Sequence, residues 1–290
     1  MYAVMGITGQ VGSAVADNLL AHGKQVRAIV RNPEKAATWK SRGVELAIAD
    51  YDNPTALEAA FRNVEAAFVM IPPYFAPSPD LREPLATIAA IRTALDRARP
   101  AKAVYLSSIG AQQTSGIGLI TVLHILEEQF GSLLIPGAFL RAGWFMENCL
   151  WDVAPAREQG KLFSYLQPLD HKFPLVATAD IGRVGAEALL QTWQGNRYIE
   201  VAGPARYSPR DIAAAFTAAL NRNVEAVAVP RDTWESNFIS QGTPEDRTPR
   251  RIEMIDAFNS GWIDFPAPGT EHIQGTTTLK TVIDQLVANN

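Results

Sequence analysis

Three glycines recur at every third position near the N-terminus, in Gly6-Ile-Thr-Gly9-Gln-Val-Gly12. A glycine turn of this kind can hold a phosphate. Glycine takes tight turns without strain, and with no Cβ it lets backbone N–H groups approach an anion. The helix that follows adds unpaired N–H groups and the positive end of its dipole. The spacing is G-x-x-G-x-x-G rather than the dinucleotide-binding G-x-G-x-x-G, so an ordinary strand–helix turn is the competing reading. The flanks favour a dinucleotide. Tyr2-Ala-Val-Met5 ahead reads as a short apolar strand, and Val11, Val15, Leu19 and Leu20 behind share one helical face.

The charges nearby say which dinucleotide. A site for NAD places an acid about 20 residues past the turn, at the end of the second strand, to bond the ribose 2′-OH. Here the strand Gln25–Val30 ends at Arg31-Asn32, with no acid. Arg31 suits a 2′-phosphate, so the expected cofactor is NADP (NADPH). A solvated strand-end charge is the other reading of Arg31, and the default one for Lys35. Asp50 ends the third strand, Val44–Ile48 and its tail. Its carboxylate either accepts from the adenine amino group, with Tyr51 covering an edge, or caps a turn locally.

These residues need a parallel sheet behind them. Apolar runs alternate with helical stretches through the first half: strands at Tyr2–Met5, Gln25–Val30, Val44–Ile48, Ala66–Ile71, Ala103–Leu106 and Leu133–Leu140. Asn32-Pro33 and Asn53-Pro54 are good helix starts. Helices are expected through about Phe61, from Leu81 to Arg99 with a break near Pro84, and over Gly118–Phe130. Pro136 marks the sixth strand as irregular or at an edge. The pattern is that of an α/β, Rossmann-type, doubly wound parallel sheet. Residues 1–143 would form the dinucleotide-binding domain. After about Gly143 the rhythm changes. Residues 144–290 read as a smaller α+β lobe on the substrate side, with helices at Phe145–Gln159, Asp180–Thr192, Ser208–Leu220 and Pro244–Asn259. Strands are expected at Arg197–Val201 and Val224–Val229. The final helix, Leu279–Val287, would return to the core.

Composition bounds the function. The chain has 290 residues, 47% of them apolar and 19% charged, with a net charge of -4 and no block of like charges. Neither a nucleic-acid surface nor a membrane span is expected. Met1 runs straight into the first expected strand, so no signal peptide is expected. The single cysteine, Cys149, excludes an intrachain disulfide and a cysteine metal cluster, and points to the cytoplasm. His22, His124, His171 and His272 are scattered, so no metal site is expected. No G-x-S-x-G elbow is present, which disfavours a serine hydrolase.

Taken together, several blocks resemble a known family. They are the glycine turn, Val30-Arg31-Asn32-Pro33-Glu34-Lys35, Asp50, Ile71-Pro72-Pro73 and Leu106-Ser107-Ser108-Ile109-Gly110-Ala111. Further on come His124-x-x-x-Glu128, Leu140-Arg141-Ala142-Gly143-Trp144-Phe145-Met146-Glu147-Asn148 and Ala177-Thr178-Ala179-Asp180-Ile181-Gly182. The chain resembles the atypical short-chain dehydrogenase/reductases of the NmrA-like group, most strongly the branch of NAD(P)H:quinone oxidoreductases and triphenylmethane reductases. The resemblance implies that Gly6 to Val11 hold the pyrophosphate, with Thr8 and Gln10 contributing, and that Arg31 meets the 2′-phosphate. Ile71, Pro72 and Pro73 would flank the nicotinamide ribose. Ser107 and Ser108 stand where related enzymes carry a catalytic serine. Phe145, Glu147 and Asn148 would lie at the cofactor–substrate junction.

One part of the wider pattern is missing. Short-chain dehydrogenases use Tyr-x-x-x-Lys as a proton relay on the helix after the fifth strand. None of the seven tyrosines here has a lysine four residues on. His124 and Glu128, one turn apart, stand there instead. A quinone tolerates this loss, since it takes hydride directly and water can protonate the product. His124, Ser107 and Tyr74 are the candidate catalytic residues. Each has a plain structural reading: His124 bonded to Glu128 or backbone, Ser107 satisfying a strand end, Tyr74 packed in the core. Tyr74 and Phe75 lie in a proline-rich loop that can fold over a flat substrate. The expected function is an NADPH-dependent reductase of a flat conjugated acceptor such as a quinone, with a small aromatic molecule as partner and a homodimer as the assembly to test. A non-catalytic NADP(H) sensor acting through a protein partner is the alternative. An isoflavone-reductase-like or epimerase-like enzyme ranks last.

Overall fold

All four residues of the first strand are apolar or aromatic and all four are buried, as a strand covered on both faces must be. The computed structural model describes residues 1–289. In chain order the first half runs β1 (Tyr2–Met5), α1 (Gln10–Ala21), β2 (Val26–Val30), α2 (Ala37–Ser41), β3 (Glu45–Ile48), α3 (Pro54–Phe61), β4 (Ala66–Val69), α4 (Arg82–Ala98), β5 (Lys102–Ser108), α5 (Thr121–Gly131) and β6 (Gly137–Ala142). The second half continues β7 (Trp144–Phe145), α6 (Val153–Gln159), β8 (Lys161–Ser164), β9 (Phe173–Val176), α7 (Thr178–Leu190), β10 (Asn196–Ala202), β11 (Arg206–Tyr207), α8 (Pro209–Leu220), β12 (Glu225–Ala228), α9 (Trp234–Ser240), α10 (Thr248–Asn259), β13 (Glu271–Gln274) and α11 (Leu279–Asn289).

Eight strands form one sheet in the order β13-β10-β6-β5-β4-β1-β2-β3. Every pairing in it is parallel. The chain builds outward from β1 to β2 and β3, then crosses to β4 on the other side. That reversal between β1 and β4 opens a crevice beyond the strands' C-terminal ends, where such sheets bind ligands. One sheet face packs on α1 and α7, through Val11, Val15, Leu19, Ile181 and Val184. The other packs on α3, α4 and α5, through Leu57, Ile88, Ile91, Leu126 and Phe130. The doubly wound α/β expectation therefore holds.

Local sequence explains most boundaries. Asn53 caps α3, its Oδ1 accepting from Ala56 N–H at 3.1 Å, with Pro54 in the first helical position. Ser208 and Asp211 form a reciprocal capping box on α8. Three expectations need correction. Pro84 does not interrupt α4, because it is the third residue of the helix, where no intrahelical N–H bond is required. Pro136 does not mark an edge: it precedes β6, which lies between β5 and β10 in the sheet interior, and its carbonyl accepts from Ala103 N–H. The stretch from Phe145 to Gln159 is not one helix; Met146–Asp152 winds as tight three-residue turns before α6 begins.

The lobe and the sheet are woven together. A third core cluster gathers Met146, Leu162, Phe173, Leu175, Ile212, Phe216 and Ile283. Yet α7, β10 and β13, all beyond residue 143, belong to the main sheet layers. α11 packs on α8 and on Met146–Asp152, inside the lobe core rather than against the sheet. Among the described residues, no helix is long and apolar enough to cross a membrane.

Candidate active site

The glycine turn sits where β1 ends, at the switch point. Gly6 has φ +70, which favours glycine, and a Cβ there would meet Met70 Sδ at 2.4 Å. Gly9 N–H bonds back to Gly6 O at 2.9 Å, closing the turn, and Gly9 caps α1 in extended conformation with no side-chain cap. The first helical bond is Ser13 N–H to Gly9 O at 3.1 Å. The N–H groups of Gln10, Val11 and Gly12 thus have no helical acceptor, and no acid stands in the first turn. This is a cradle for an anion, and a pyrophosphate fits it. Thr8 and Gln10 are exposed on its outer side. Val11 buries its side chain and offers backbone only.

Tyr51 braces the cradle from below. Its hydroxyl accepts from Gly6 N–H at 3.3 Å, and the Arg31 guanidinium lies 5.6 Å from its ring centroid. Burial pushes the Tyr51 phenol up, so it stays protonated. The role of Tyr51 as a brace was not readable from sequence, because its partner is 45 residues away. Arg31 itself is exposed and has no ion-pair partner among the described residues. Asp50 is also exposed. Its backbone carbonyl accepts from Asn53 N–H, but its carboxylate caps nothing, since Asn53 does that work. A cation and a carboxylate are left facing out beside the turn.

The strand ends next to the turn supply the crevice wall. Ile71 is buried and Pro72 partly so. Met70, Leu106 and Phe145 pack against the α1–α7 core yet stay partly exposed. Of these, Leu106 lies in the central strand β5, Met70 just past the end of β4, and Phe145 in β7, which pairs with β9 in a separate sheet. Ser108 shares the face of Leu106, two residues on, and is also partly exposed. Ser107 points to the opposite face. It is 3% exposed, and its hydroxyl donates to Glu127 at 2.6 Å. Glu127 in turn takes two hydrogen bonds from Arg141, at 2.9 and 2.6 Å. Ser107 is thus held by a carboxylate rather than by backbone groups at the strand end, and period-two alternation makes Ser108 the serine on the other face.

The other two catalytic candidates are also engaged. His124 Nδ1 bonds Ala111 O at 2.8 Å, and its Nε2 is 3.6 Å from Glu128. It ties α5 to the segment that follows β5. The Tyr74 hydroxyl bonds Thr87 on α4 at 2.7 Å, and its ring joins the neighbouring core. Both keep their plain structural readings.

The second motif block turns out to be a set of joints. Glu147 accepts from Thr178 N–H at 2.9 Å and from its hydroxyl at 2.7 Å, capping α7. Burial raises the Glu147 carboxyl despite those bonds. Asp180 Oδ2 accepts from the N–H groups of Thr276 and Thr277, at 3.1 and 2.8 Å. Gly182 lets α7 meet α1: a Cβ there would lie 2.2 Å from Ala14 Cβ.

Asp152 closes the Met146–Asp152 segment with its carboxyl pushed up to about 7 by burial. It and Glu147 add to the burial that raises the Cys149 thiol. An unfolded aspartate titrates near about 3.9. Below that value both states hold the proton and stability is full. Between it and about 7 the unfolded chain ionises while the folded group stays neutral, so stability falls as pH rises. Asp152→Asn is expected to add up to about 4 kcal/mol near pH 8 and almost nothing near pH 4. Melting temperatures across that range check it; parallel curves for the two proteins would refute it.

Comparison with known proteins agrees with this geometry. The NmrA-like family profile matches residues 2–260. An NAD(P)H azoreductase of Xenophilus azovorans is 29% identical over 259 residues, covering 89% of this chain and 85% of its own. Quinone oxidoreductase 2 of Escherichia coli (strain K12) is 26% identical over 249 residues, covering 84% and 83%. Among solved structures, Citrobacter sp. triphenylmethane reductase complexed with NADP(H) superposes with a TM-score of 0.80 at 23% identity, covering 98% of this chain and 99% of that one, a likeness of fold. The Escherichia coli NADPH-dependent quinone oxidoreductase complexed with NADPH gives 0.76 at 25% identity, covering 99% of both. With its parallel sheet, its glycine cradle and a profile match over nearly its whole length, the chain belongs to the NmrA-like family.

Proposed function

We propose that this protein is an NADPH-dependent reductase of flat conjugated acceptors, such as quinones. The observation that carries the reading is the anion cradle at Gly6–Gly12 with Arg31 unpaired beside it and no acid at the end of β2. When bound, NADPH supplies the hydride. The chain's own residues hold and orient. The N–H groups at the start of α1 take the pyrophosphate, with Thr8 and Gln10 on its outer side. Arg31 takes the 2′-phosphate, and Asp50 the adenine amino group. Ile71 and Pro72 flank the nicotinamide ribose, while Leu106, Ser108 and Phe145 line the place where the acceptor ring lies. Positioning two flat rings and excluding water is most of what such a reaction asks of a protein.

Five of the seven tyrosines are engaged elsewhere, which supports a reaction without a phenol relay. Tyr51 is bonded to Gly6, Tyr74 to Thr87, and Tyr105 lies in the core with its phenol raised by burial. Tyr2 donates to Glu65, and Tyr207 accepts from Leu279 N–H. Water protonates the product oxygen in this reading, and His124 orients the segment after β5. A cytoplasmic setting suits the single buried thiol.

The test mixes purified protein with NADPH and a panel of quinones and follows the nicotinamide absorbance. Turnover with at least one is expected. Tight NADPH binding without oxidation by any acceptor, with strong preference for one redox form, would favour a sensor instead. Arg31→Ala is expected to weaken NADPH binding by about 1.5–3 kcal/mol, the range of a charged hydrogen bond, while leaving NADH binding nearly unchanged. Titration with both nucleotides measures this; an equal loss for both would remove Arg31 from the 2′-phosphate site.

A further inference from the structure

Two segments leave the strand ends on either side of β5, whose end carries Leu106 and Ser108. Residues 72–81 follow β4, next to the switch point. Met146–Asp152 follows β7, the short strand after β6. Each carries one large exposed ring. Phe75 is 59% exposed and Trp151 64%. The two meet edge to face, with centroids 6.0 Å apart and planes at 73°. Neither ring has any other aromatic or hydrogen-bonded partner among the described residues.

The backbone around Phe75 is anchored. Arg247 donates to Ala76 O at 3.0 Å, and Arg250 to Pro79 O at 3.2 Å. Ser78 N–H bonds Glu83 at 3.0 Å at the start of α4. So the loop is held from the lobe side while its aromatic tip stays in water. Two rings this exposed have little burial to lose on parting. A flat ligand between them would bury both faces at once.

Resting on the proposed reductase function, we propose that Phe75 and Trp151 form an aromatic clamp that selects multi-ring acceptors. A flat molecule held between two rings needs them about 7 Å apart, two contact distances of about 3.5 Å. From 6.0 Å, that is a small opening with one ring turning parallel to the other. Outer rings of a polycyclic quinone stack in the clamp while its reducible ring reaches the wall at Leu106 and Ser108. A one-ring quinone reaches the wall without touching the clamp. The clamp therefore acts on KM for large acceptors, not on the chemical step.

The test compares wild type with F75A, W151A, the double variant and W151F, using NADPH with 1,4-benzoquinone, 1,4-naphthoquinone and 9,10-phenanthrenequinone. Each alanine variant is expected to raise KM for phenanthrenequinone about tenfold, the loss of one aromatic stack, with kcat and the benzoquinone KM unchanged. W151F keeps most of the wild-type KM. The double variant is expected to fall short of the product of the two singles. Equal KM rises for all three quinones, or a fall in kcat alone, would overturn the clamp. Should wild type reduce no quinone, the functional proposal fails by itself. The clamp is then read from quenching of protein fluorescence by phenanthrenequinone in the NADP-loaded protein. About tenfold weaker binding in F75A supports it, and unchanged binding overturns it.

Discussion

Glu127→Ala is expected to destabilise the fold by about 3–5 kcal/mol, the range found when one partner of a buried ion pair is removed. Glu127 is 5% exposed and Arg141 6%. The carboxylate holds the guanidinium through two hydrogen bonds and takes a third from Ser107. On its other side Arg141 lies 4.6 Å from the Tyr198 ring centroid. Arginine cannot shed its proton at accessible pH, so removing the glutamate leaves a charge in the interior with only a ring face beside it. Ser107→Ala removes one hydrogen bond and leaves the ion pair whole, and is expected to lose only about 1 kcal/mol. Urea melts of the three proteins measure the ranking. A loss below about 1 kcal/mol for Glu127→Ala would mean that water reaches Arg141. The network lies on the α5 face of the sheet, away from Ser108, so activity per folded molecule is expected to stay near wild type.

That network also shows where sequence reading stops. Ser107 and Ser108 look alike as text, and the motif draws the eye to the first. Their environments differ because successive strand residues face opposite ways, and because Glu127 and Arg141 converge on one of them. What was legible was local: the glycine turn after a short apolar strand, the helix start at Asn53-Pro54, the alternation that builds a parallel sheet. What was not legible depends on chain that returns from far away. β10 and β13 extend the sheet although both follow a change of rhythm. Asp180 is fixed by Thr276 and Thr277, and the loop bearing Phe75 by Arg247, 171 residues from its acceptor Ala76. Trp151 carried no signal at all, since its neighbours in sequence read as an ordinary helix. The blocks that mark the family are of both kinds. In the proposed function the glycine turn and Arg31 serve a ligand, whereas Glu147, Asp180 and Gly182 join one part of the fold to another.

The three glycines of the turn make the same distinction on a smaller scale, and substitution separates them. Gly12→Ala is expected to lower NADPH affinity by at least about 100-fold and to destabilise the free protein as well. A Cβ at this position would lie 2.2 Å from Gly6 O and 2.7 Å from Met5 O. Both are backbone atoms of β1 and its turn, so the helix or the strand end must move, at a cost of about 1–3 kcal/mol as in other overpacked sites. Moving α1 away from β1 carries its free N–H groups off the phosphate position, and a misplacement of about 1 Å is enough to lose most of an oriented contact. Gly9→Ala tests the other possibility. Gly9 has φ -105, which any residue adopts, and its nearest neighbour to a new Cβ is Gly6 O at 3.4 Å. The fold accepts that methyl group. A pyrophosphate drawn onto the same turn meets it directly, so Gly9→Ala is expected to keep the wild-type melting temperature while NADPH binding weakens about tenfold or more. Calorimetric titration with NADPH and a melt of each free protein separate the cases. If both variants bind NADPH as wild type does, Gly6–Gly12 is an ordinary strand–helix turn and the anion lies elsewhere. If Gly9→Ala alone binds normally, the phosphates approach from the side of Thr8 and Gln10, past the mouth of the turn rather than over its second glycine.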